Sequence, residues 1–442
     1  MKLRVYIFTF LIVIFSLNSC LYKKEIISSQ KEITFKIEQN DTIKRIQNNN
    51  IFNKNIKTVL CYNKNQINSI PIINLKSKDQ LIIKFDELES IKKNYYYTIT
   101  LCNEDWTKNN LNKNEYIDGF INNQISNYEF SFNTKQEYIH YQFKFPSQNI
   151  SPKLSGNYIF EIYDENGKLA ITRRFMVLEK KVFVNANVRR ATLAKHKNKK
   201  HEIDISIEHK NISINDPFSD VKIHIKQNNH DINSITDLKP LFIKNNELIY
   251  DYEDENLFWA NNEFRYFDIR SLRFLSERIM NMTFVENKYV INLFDDFKKT
   301  FDNYSLMADN NGDFFIEVKE GWDSSIESDY AVVNFSLQMN QINYGNLYLI
   351  GAFSDWKLNN QFKLVYNDKK QKYEKSLFLK QGFYNYQYAL HDSVNNIVDI
   401  AYIEGSHYQT NNEYYIYVYL KDHINNYDKL IGFLKKDSND LF

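Results

Sequence analysis

Residues 95–101 read Tyr-Tyr-Tyr-Thr-Ile-Thr-Leu, with Tyr95, Tyr97, Ile99 and Leu101 at the odd positions and threonine at two of the three even ones. Successive side chains of a strand point to opposite faces, so this alternation describes a half-buried β-strand. The same period returns along the chain. Ile139, Tyr141, Phe143 and Phe145 alternate with His140, Gln142 and Lys144; Ile203, Ile205 and Ile207 alternate with Asp204, Ser206 and Glu208; Val221, Ile223 and Ile225 alternate with Lys222, His224 and Lys226. Residues 157–164 and 168–178, joined through Asn166-Gly167, read as a hairpin. Further short strands are expected at 329–337, 346–353, 373–380, 385–390 and 413–420, separated by polar turns. Almost no stretch carries a period of 3.6. The expectation is therefore an all-β chain of antiparallel sandwiches in series, with few helices. The 32 Tyr and 33 Phe against 10 Gly and 5 Pro agree with it, because rings suit a pleated, half-buried surface.

At 442 residues the chain has room for roughly two to four domains. Its first residues have the form of a secretory signal: Lys2 and Arg4, then the almost wholly apolar residues 5–17. The ending Leu17-Asn18-Ser19-Cys20 resembles a bacterial lipoprotein signal, with Cys20 as the first mature and lipidated residue. The expected division is a signal peptide at 1–20, a polar tether at 21–50, an N-terminal sandwich at 51–180, a middle β domain at 181–320 and a C-terminal sandwich at 321–435. No later stretch is long and apolar enough to cross a membrane. Cys61 and Cys102 remain in the mature chain, either paired or as free thiols.

The charged residues point away from several functions. Lys and Arg number 56 against 55 Asp and Glu, a net +1 that creates no field to gather nucleic acid. The basic run Lys195–His201 lies between strands and lacks the interleaved aromatics that stack on bases, so it reads as a solvated hairpin tip. The nine histidines are scattered; His140 and His224 fall on the polar sides of their strands and are expected at the surface, and His196 and His201 in the lysine-rich tip. Asp309-Asn310-Asn311-Gly312-Asp313 lacks the ordered ligands and closing Glu of a calcium loop and reads as a tight turn. Glu104 and Asp105 form the best carboxylate pair, but neighbours in an extended segment point apart and could not flank one scissile bond. Cys102-Asn103-Glu104-Asp105-Trp106 is instead expected to be a loop after a strand ending at Leu101, with Trp106 folded back over its sandwich and Asn103 and Asp105 bonding loop amides. No catalytic residue, metal or cofactor is assigned.

The strings Phe85-Asp86-Glu87-Leu88, Tyr95–Leu101 with Cys102–Trp106, Glu115–Phe120, Phe132-Asn133-Thr134, Tyr138–Tyr141, Phe145-Pro146, Ser155–Tyr158 and Arg174-Phe175, in that order and spacing, resemble the Plug protein family of the Bacteroidota type IX secretion system. Matching pieces recur at Asn262–Asp268, Ser271–Arg273, Asp309–Gly312 and Glu404–Tyr414, so the resemblance runs from about residue 52 to 422. The positions that carry it are Cys102, Asn103, Asp105, Trp106, Tyr116, Gly119, Phe120, Asn133, Tyr141, Gly156, Tyr158, Phe264, Arg265 and Asp268. The resemblance implies a non-enzymatic periplasmic β-protein that docks on the giant outer-membrane translocon barrel and closes its periplasmic mouth. A barrel of that size leaves an aqueous lumen that would otherwise leak solutes. Lipidated Cys20 would add an outer-membrane anchor. A second resemblance concerns Asn346–Trp356 and Tyr373–Tyr388, which are similar to early-set immunoglobulin-like modules that include glycogen-binding domains. On that alternative the chain is a glycan-binding outer-membrane lipoprotein with Trp356 stacked on a sugar ring; otherwise Trp356 caps the sandwich.

Overall fold

The computed structural model describes residues 47–66 and 69–438; the expected signal peptide, Cys20 and the tether as far as residue 46 lie outside them. The chain divides into two compact units, Met1–Asn50 and Ile51–Phe442, and the architecture that follows is that of the second.

The alternating segments form strands, and the strands form three largely antiparallel sandwiches. In the first, Leu169–Leu178, Gly156–Asp164, Tyr95–Cys102 and Asn123–Ile125 make one sheet, facing a second of Ile56–Asn63, Leu81–Glu87, Ile139–Phe145 and Tyr128–Phe130. The faces chosen by the period of two meet between them: Tyr97, Ile99, Leu101, Phe160 and Phe175 pack against Leu81, Ile83, Phe85, Tyr141 and Phe145. The rings of Phe160 and Phe175 stack at 4.2 Å, as do those of Tyr97 and Phe143.

The second sandwich pairs a sheet of Phe183–Arg190, Lys200–Glu208, Glu247–Tyr250 and Phe242–Lys244 with a sheet of Val221–Gln227, Glu413–Asp422 and Tyr427–Asp437. The third pairs the sheet around Gly382–Asp392, which includes Arg265–Asp268 and Gly345–Ile350, with the sheet around Tyr330–Gln338, which includes Ile279–Val285, Lys288–Leu293 and Lys372–Lys380. Among the described residues helix is confined to pieces of three or four residues such as Lys113–Tyr116, Ala352–Ser354 and Ala401–Glu404. The all-β sandwich class is the one expected.

The sheets do not divide at 180/181 and 320/321. Val221–Gln227 pairs with Glu413–Asp422 along its whole length, from Val221 opposite Leu420 to Gln227 opposite Tyr414. Arg265–Asp268 pairs with Gly382–Asp392, and Lys288–Leu293 runs parallel to Tyr330–Gln338. The chain thus leaves the second sandwich, builds the third, and returns to finish the second with its last hairpin. Alternation reveals which face of a strand is buried; it carries no information about which edge finds which partner, so a serial order was the natural expectation. If the hairpin Glu413–Asp437 completes the second sandwich, a chain truncated after Glu404 loses Tyr414, Ile416, Val418 and Ile431 from that core. Limited proteolysis is expected to cleave this truncated chain within residues 183–250, whereas a self-contained middle domain would resist.

Candidate functional site

The strand Tyr95–Cys102 runs into the loop Asn103–Thr107, which closes on itself. Asn103 N donates to Thr107 O at 2.8 Å, Trp106 N to Asn103 O at 3.0 Å, and Thr107 N to Asp105 Oδ1 at 2.9 Å. Trp106 takes a left-handed φ of +69°, which turns its ring onto the outward face of the sheet. There it does not merely cover its own sandwich. With Cys102, Ile159, Met176 and Leu178 it packs against Tyr415, Tyr417, Tyr419 and Leu430 of the last hairpin, so it lies in the seam between the first and second sandwiches. The Arg174 guanidinium sits 4.3 Å over the Trp106 ring and 2.8 Å from Asp231, which Lys226 also meets at 2.6 Å. Burial acts to raise the Asp231 carboxyl, but Lys226 and Arg174 outweigh it and hold it well below the usual range.

Glu104 carries the loop across this seam. Its carboxylate lies 2.7 Å from His224 Nε2, and its backbone N donates to Asp428 Oδ2 at 3.0 Å. Asn157 ties the same place from below, donating through Nδ2 to the carbonyls of Asn103 and Glu104 at 3.1 Å each and accepting from the Tyr419 hydroxyl at 2.9 Å. The Asn103 side chain meets Thr107 Oγ1 and Asn109 Nδ2 rather than loop amides. Asn109 then reaches the Asn426 carbonyl of the hairpin at 3.0 Å. Cys61 and Cys102 are free, and burial pushes each thiol up to about 12, which leaves them protonated and unreactive.

A second seam, between the first and third sandwiches, is centred on charge. Asp86 and Lys380, each 1% exposed, are paired at 2.6 Å. His140 Nδ1 lies 2.6 Å from the other Asp86 oxygen, and the Tyr330 hydroxyl donates to Asp86 Oδ2 at 2.8 Å. Lys380 donates onward to Ser325 O at 2.7 Å and lies 4.0 Å over the Tyr138 ring, whose hydroxyl donates to Ser328 O at 2.9 Å. Burial works against the Asp86 anion, yet Lys380 and His140 hold its carboxyl below the usual value; burial likewise lowers the Lys380 ammonium, with Asp86 opposing.

His140 and His224, expected at the surface, are therefore buried, because the outward face of one sandwich is an inner face of the assembly. His201, expected in the basic tip, is the second residue of the strand Lys200–Glu208 and is fully buried. It lies 2.8 Å from the Tyr414 hydroxyl and 2.6 Å from Tyr408 O, with its ring pushed down to about 4 by burial.

Arg265 anchors the crossing from the second sandwich to the third. It meets Glu404 at 3.0 Å and Asp296 at 2.8 Å, while the hydroxyls of Tyr386 and Tyr388 both donate to Asp296 at 2.8 Å. Asp268 pairs with Arg270 at 2.7 Å. Phe264 packs edge-on to Trp356, 5.9 Å between rings, and Trp356 also lies 4.4 Å from His230 and against Gly312, where a Cβ would meet the indole at 2.3 Å. Trp356 is half-buried among these three neighbours. Asp309 turns the chain before it, accepting from the backbone N of Phe264 and from that of Asn311.

Of the remaining signature positions, Tyr116, Tyr141 and Tyr158 are core residues, with Tyr141 donating to Lys93 O and Tyr158 to Leu154 O at 2.9 Å. Gly156 has φ +133° and approaches the second sandwich so closely that a Cβ would lie 2.9 Å from Asp428 O. Gly119 has φ +96° beside Asn149. Phe120 and Asn133 are at the surface. Among the described residues one acidic group has ligand atoms that converge, Glu202, Asp204 and Asp251; Arg189 already bridges it at 2.5, 2.8 and 3.3 Å.

Sequence reasoning missed the Asp86–Lys380 pair, whose members are 294 positions apart. A signal did exist for the seams. Tyr414–Tyr419 is an unbroken apolar run, and such a run marks a strand buried on both faces. Lys380→Met alone is expected to lower unfolding stability by about 3–5 kcal/mol, by stranding a buried carboxylate. Adding Asp86→Asn should recover most of that loss, as read from denaturant midpoints.

Residues 56–179 match the family model described as "Type 9 secretion system plug protein 1st domain". A crystal structure of a hypothetical protein from Parabacteroides merdae is similar over 88% of this chain and 99% of its own, with 33% sequence identity and a TM-score of 0.86. A comparison with curated proteins finds no match.

Proposed function

The chain belongs to the plug protein family of the type IX secretion system, and from that premise we propose that it binds the giant outer-membrane translocon barrel and closes its periplasmic opening while no substrate passes. The family is a structural or accessory one, and membership points to a periplasmic or envelope location. The observation that carries the reading is the match of residues 56–179, the stretch that supplies one side of both buried seams. A body that closes a wide aqueous lumen must keep its outline under load. Ion pairs and aromatic rings buried between sandwiches resist hinge motion in a way that small polar contacts between domains do not. No helix among the described residues is long and apolar enough to cross a membrane. Retention at the outer membrane then falls to the barrel and to a lipid on Cys20.

Affinity purification of the tagged chain from detergent-solubilised outer membranes is expected to bring down a giant β-barrel protein, and the purified chain should reduce that barrel's conductance in planar bilayers. Recovery without any barrel protein would remove the proposal. Cys20→Ala is expected to shift the chain from the membrane fraction to the soluble periplasmic fraction while leaving its capture by the solubilised barrel intact. An unchanged distribution would exclude the lipid anchor without touching the closure.

A further inference from the structure

Between Thr300 and Asn310 the chain forms neither strand nor helix. The ends of this stretch are tied to both sides of the crossing between the second and third sandwiches. On the returning chain, Lys299 N donates to Ile403 O at 2.8 Å and Thr300 Oγ1 to Tyr402 O at 2.6 Å. On the departing chain, Asp309 accepts from the backbone N of Phe264. Asn310 N donates to Asn385 Oδ1 at 2.6 Å. From Phe301 to Ala308 every residue is exposed except Tyr304, which is half-buried. Among the described residues no backbone hydrogen bond involves 303–308. Between its tied ends, then, this strap keeps its place through one inward side chain.

That side chain ends on a buried acid. The Tyr304 hydroxyl donates to Glu263 Oε1 at 2.6 Å, which also accepts from Asn411 N at 3.2 Å. Glu263 is 2% exposed, and among the described residues it has no ion-pair partner. A carboxyl taken out of water without a cation beside it resists ionisation. Burial, with Asp309 adding to it and with Tyr304, Asn411 and Lys299 opposing, pushes Glu263 from the ordinary 4.5 up to about 7. Neutral Glu263 still accepts from Tyr304 through its carbonyl oxygen. The ionised form needs water, which the closed strap keeps out and an open one admits.

We propose that Lys299–Asn310 is a proton-controlled strap, closed over neutral Glu263 by Tyr304 and opened when that carboxyl ionises, so that water enters the crossing between the second and third sandwiches. The device goes beyond the closure described above, and its test needs no barrel.

The direction follows from linkage. Glu263 holds its proton more tightly in the closed state, so the ratio of open to closed strap is flat below the ordinary 4.5, rises about tenfold per pH unit from there, and levels off above about 7. Two other titratable groups face this place from neighbouring elements. Asp309, which burial pushes up to about 6, acts with the same sign. His407, whose ring lies 5.8 Å from that of Tyr304 and is lowered by burial, gains its charge as pH falls and acts with the opposite sign.

A nitroxide on Ser305→Cys, in the full chain carrying Cys20→Ala, reads the strap directly, because Cys61 and Cys102 are buried and unreactive. The mobile fraction of its paramagnetic resonance spectrum is expected to rise with pH and to level off above about 7. Glu263→Gln keeps the acceptor and removes the charge, so the strap should stay closed throughout and the step should vanish with Asp309 and His407 still in place. Tyr304→Phe provides a second check at the surface of the body: the strap should be mobile even at the acid end, where that of the parent chain is closed. A mobile fraction that does not change with pH, that falls as pH rises, or that keeps its step in Glu263→Gln would each overturn the proposal. So would a parent-like spectrum in Tyr304→Phe, or a step that coincides with loss of the circular dichroism of the sheets.

Discussion

The ion pair between Asp86 and Lys380 is the contact on which the arrangement of the sandwiches depends most directly. Its two charges are 1% exposed and come from different sandwiches, so neither half can lose the other without leaving a charge out of water. A buried pair is weak evidence for stability, since an apolar replacement of the same shape often does as well. It is strong evidence for register. A hydrophobic seam could slide by a residue with little loss, whereas the Lys380 ammonium has fixed acceptors at Asp86 and Ser325, and Asp86 has His140 and Tyr330 at its remaining positions.

The first and second sandwiches are joined by different means. Here the contact is mostly aromatic, with Trp106 and the outward tyrosines Tyr415, Tyr417 and Tyr419, and the polar groups sit around it. Glu104 beside His224, and the ion pair of Arg174 with Asp231, place polar groups from the two sides beside the rings, while Asn157 donates to the Asn103 carbonyl, which also accepts from Trp106 N, and to the Glu104 carbonyl. The loop Cys102–Trp106 is compact because it packs across this seam. Its left-handed Trp106 presents a ring to a neighbour, and its intervening Glu104 presents a carboxylate to the same neighbour from a position next in sequence but one.

The period of two made the strands and the first core legible from sequence, because Tyr97, Ile99 and Leu101 follow directly from alternation. The same rule misplaced His140 and His224. It assigns the face opposite the core to solvent, which holds for a lone sandwich and fails where a second one covers it. The run Tyr414–Tyr419 contained the correction, since even positions Tyr414, Ile416 and Val418 enter the core of the second sandwich and odd positions Tyr415, Tyr417 and Tyr419 enter the seam. Partner choice was less accessible. Val221–Gln227 and Glu413–Asp422 lie nearly two hundred residues apart, and nothing in either strand's own pattern names the other.

That long-range pairing also bears on how the chain can act. Because the third sandwich is built between the strands of the second, the chain crosses between them twice, and Arg265 holds the two crossings together through Glu404 on the returning side. Two connections limit relative rotation more than one does. The first sandwich, attached by a single crossing, is instead fixed by the two buried seams. Both routes end in the same mechanical outcome, a body of three sandwiches in which every large interface is tied by groups that cannot be separated cheaply in water. The polar side chains at these interfaces fix position: Asp86, Lys380 and Arg265 are buried inside the assembly, and Glu104 is half-buried at the edge of the aromatic seam.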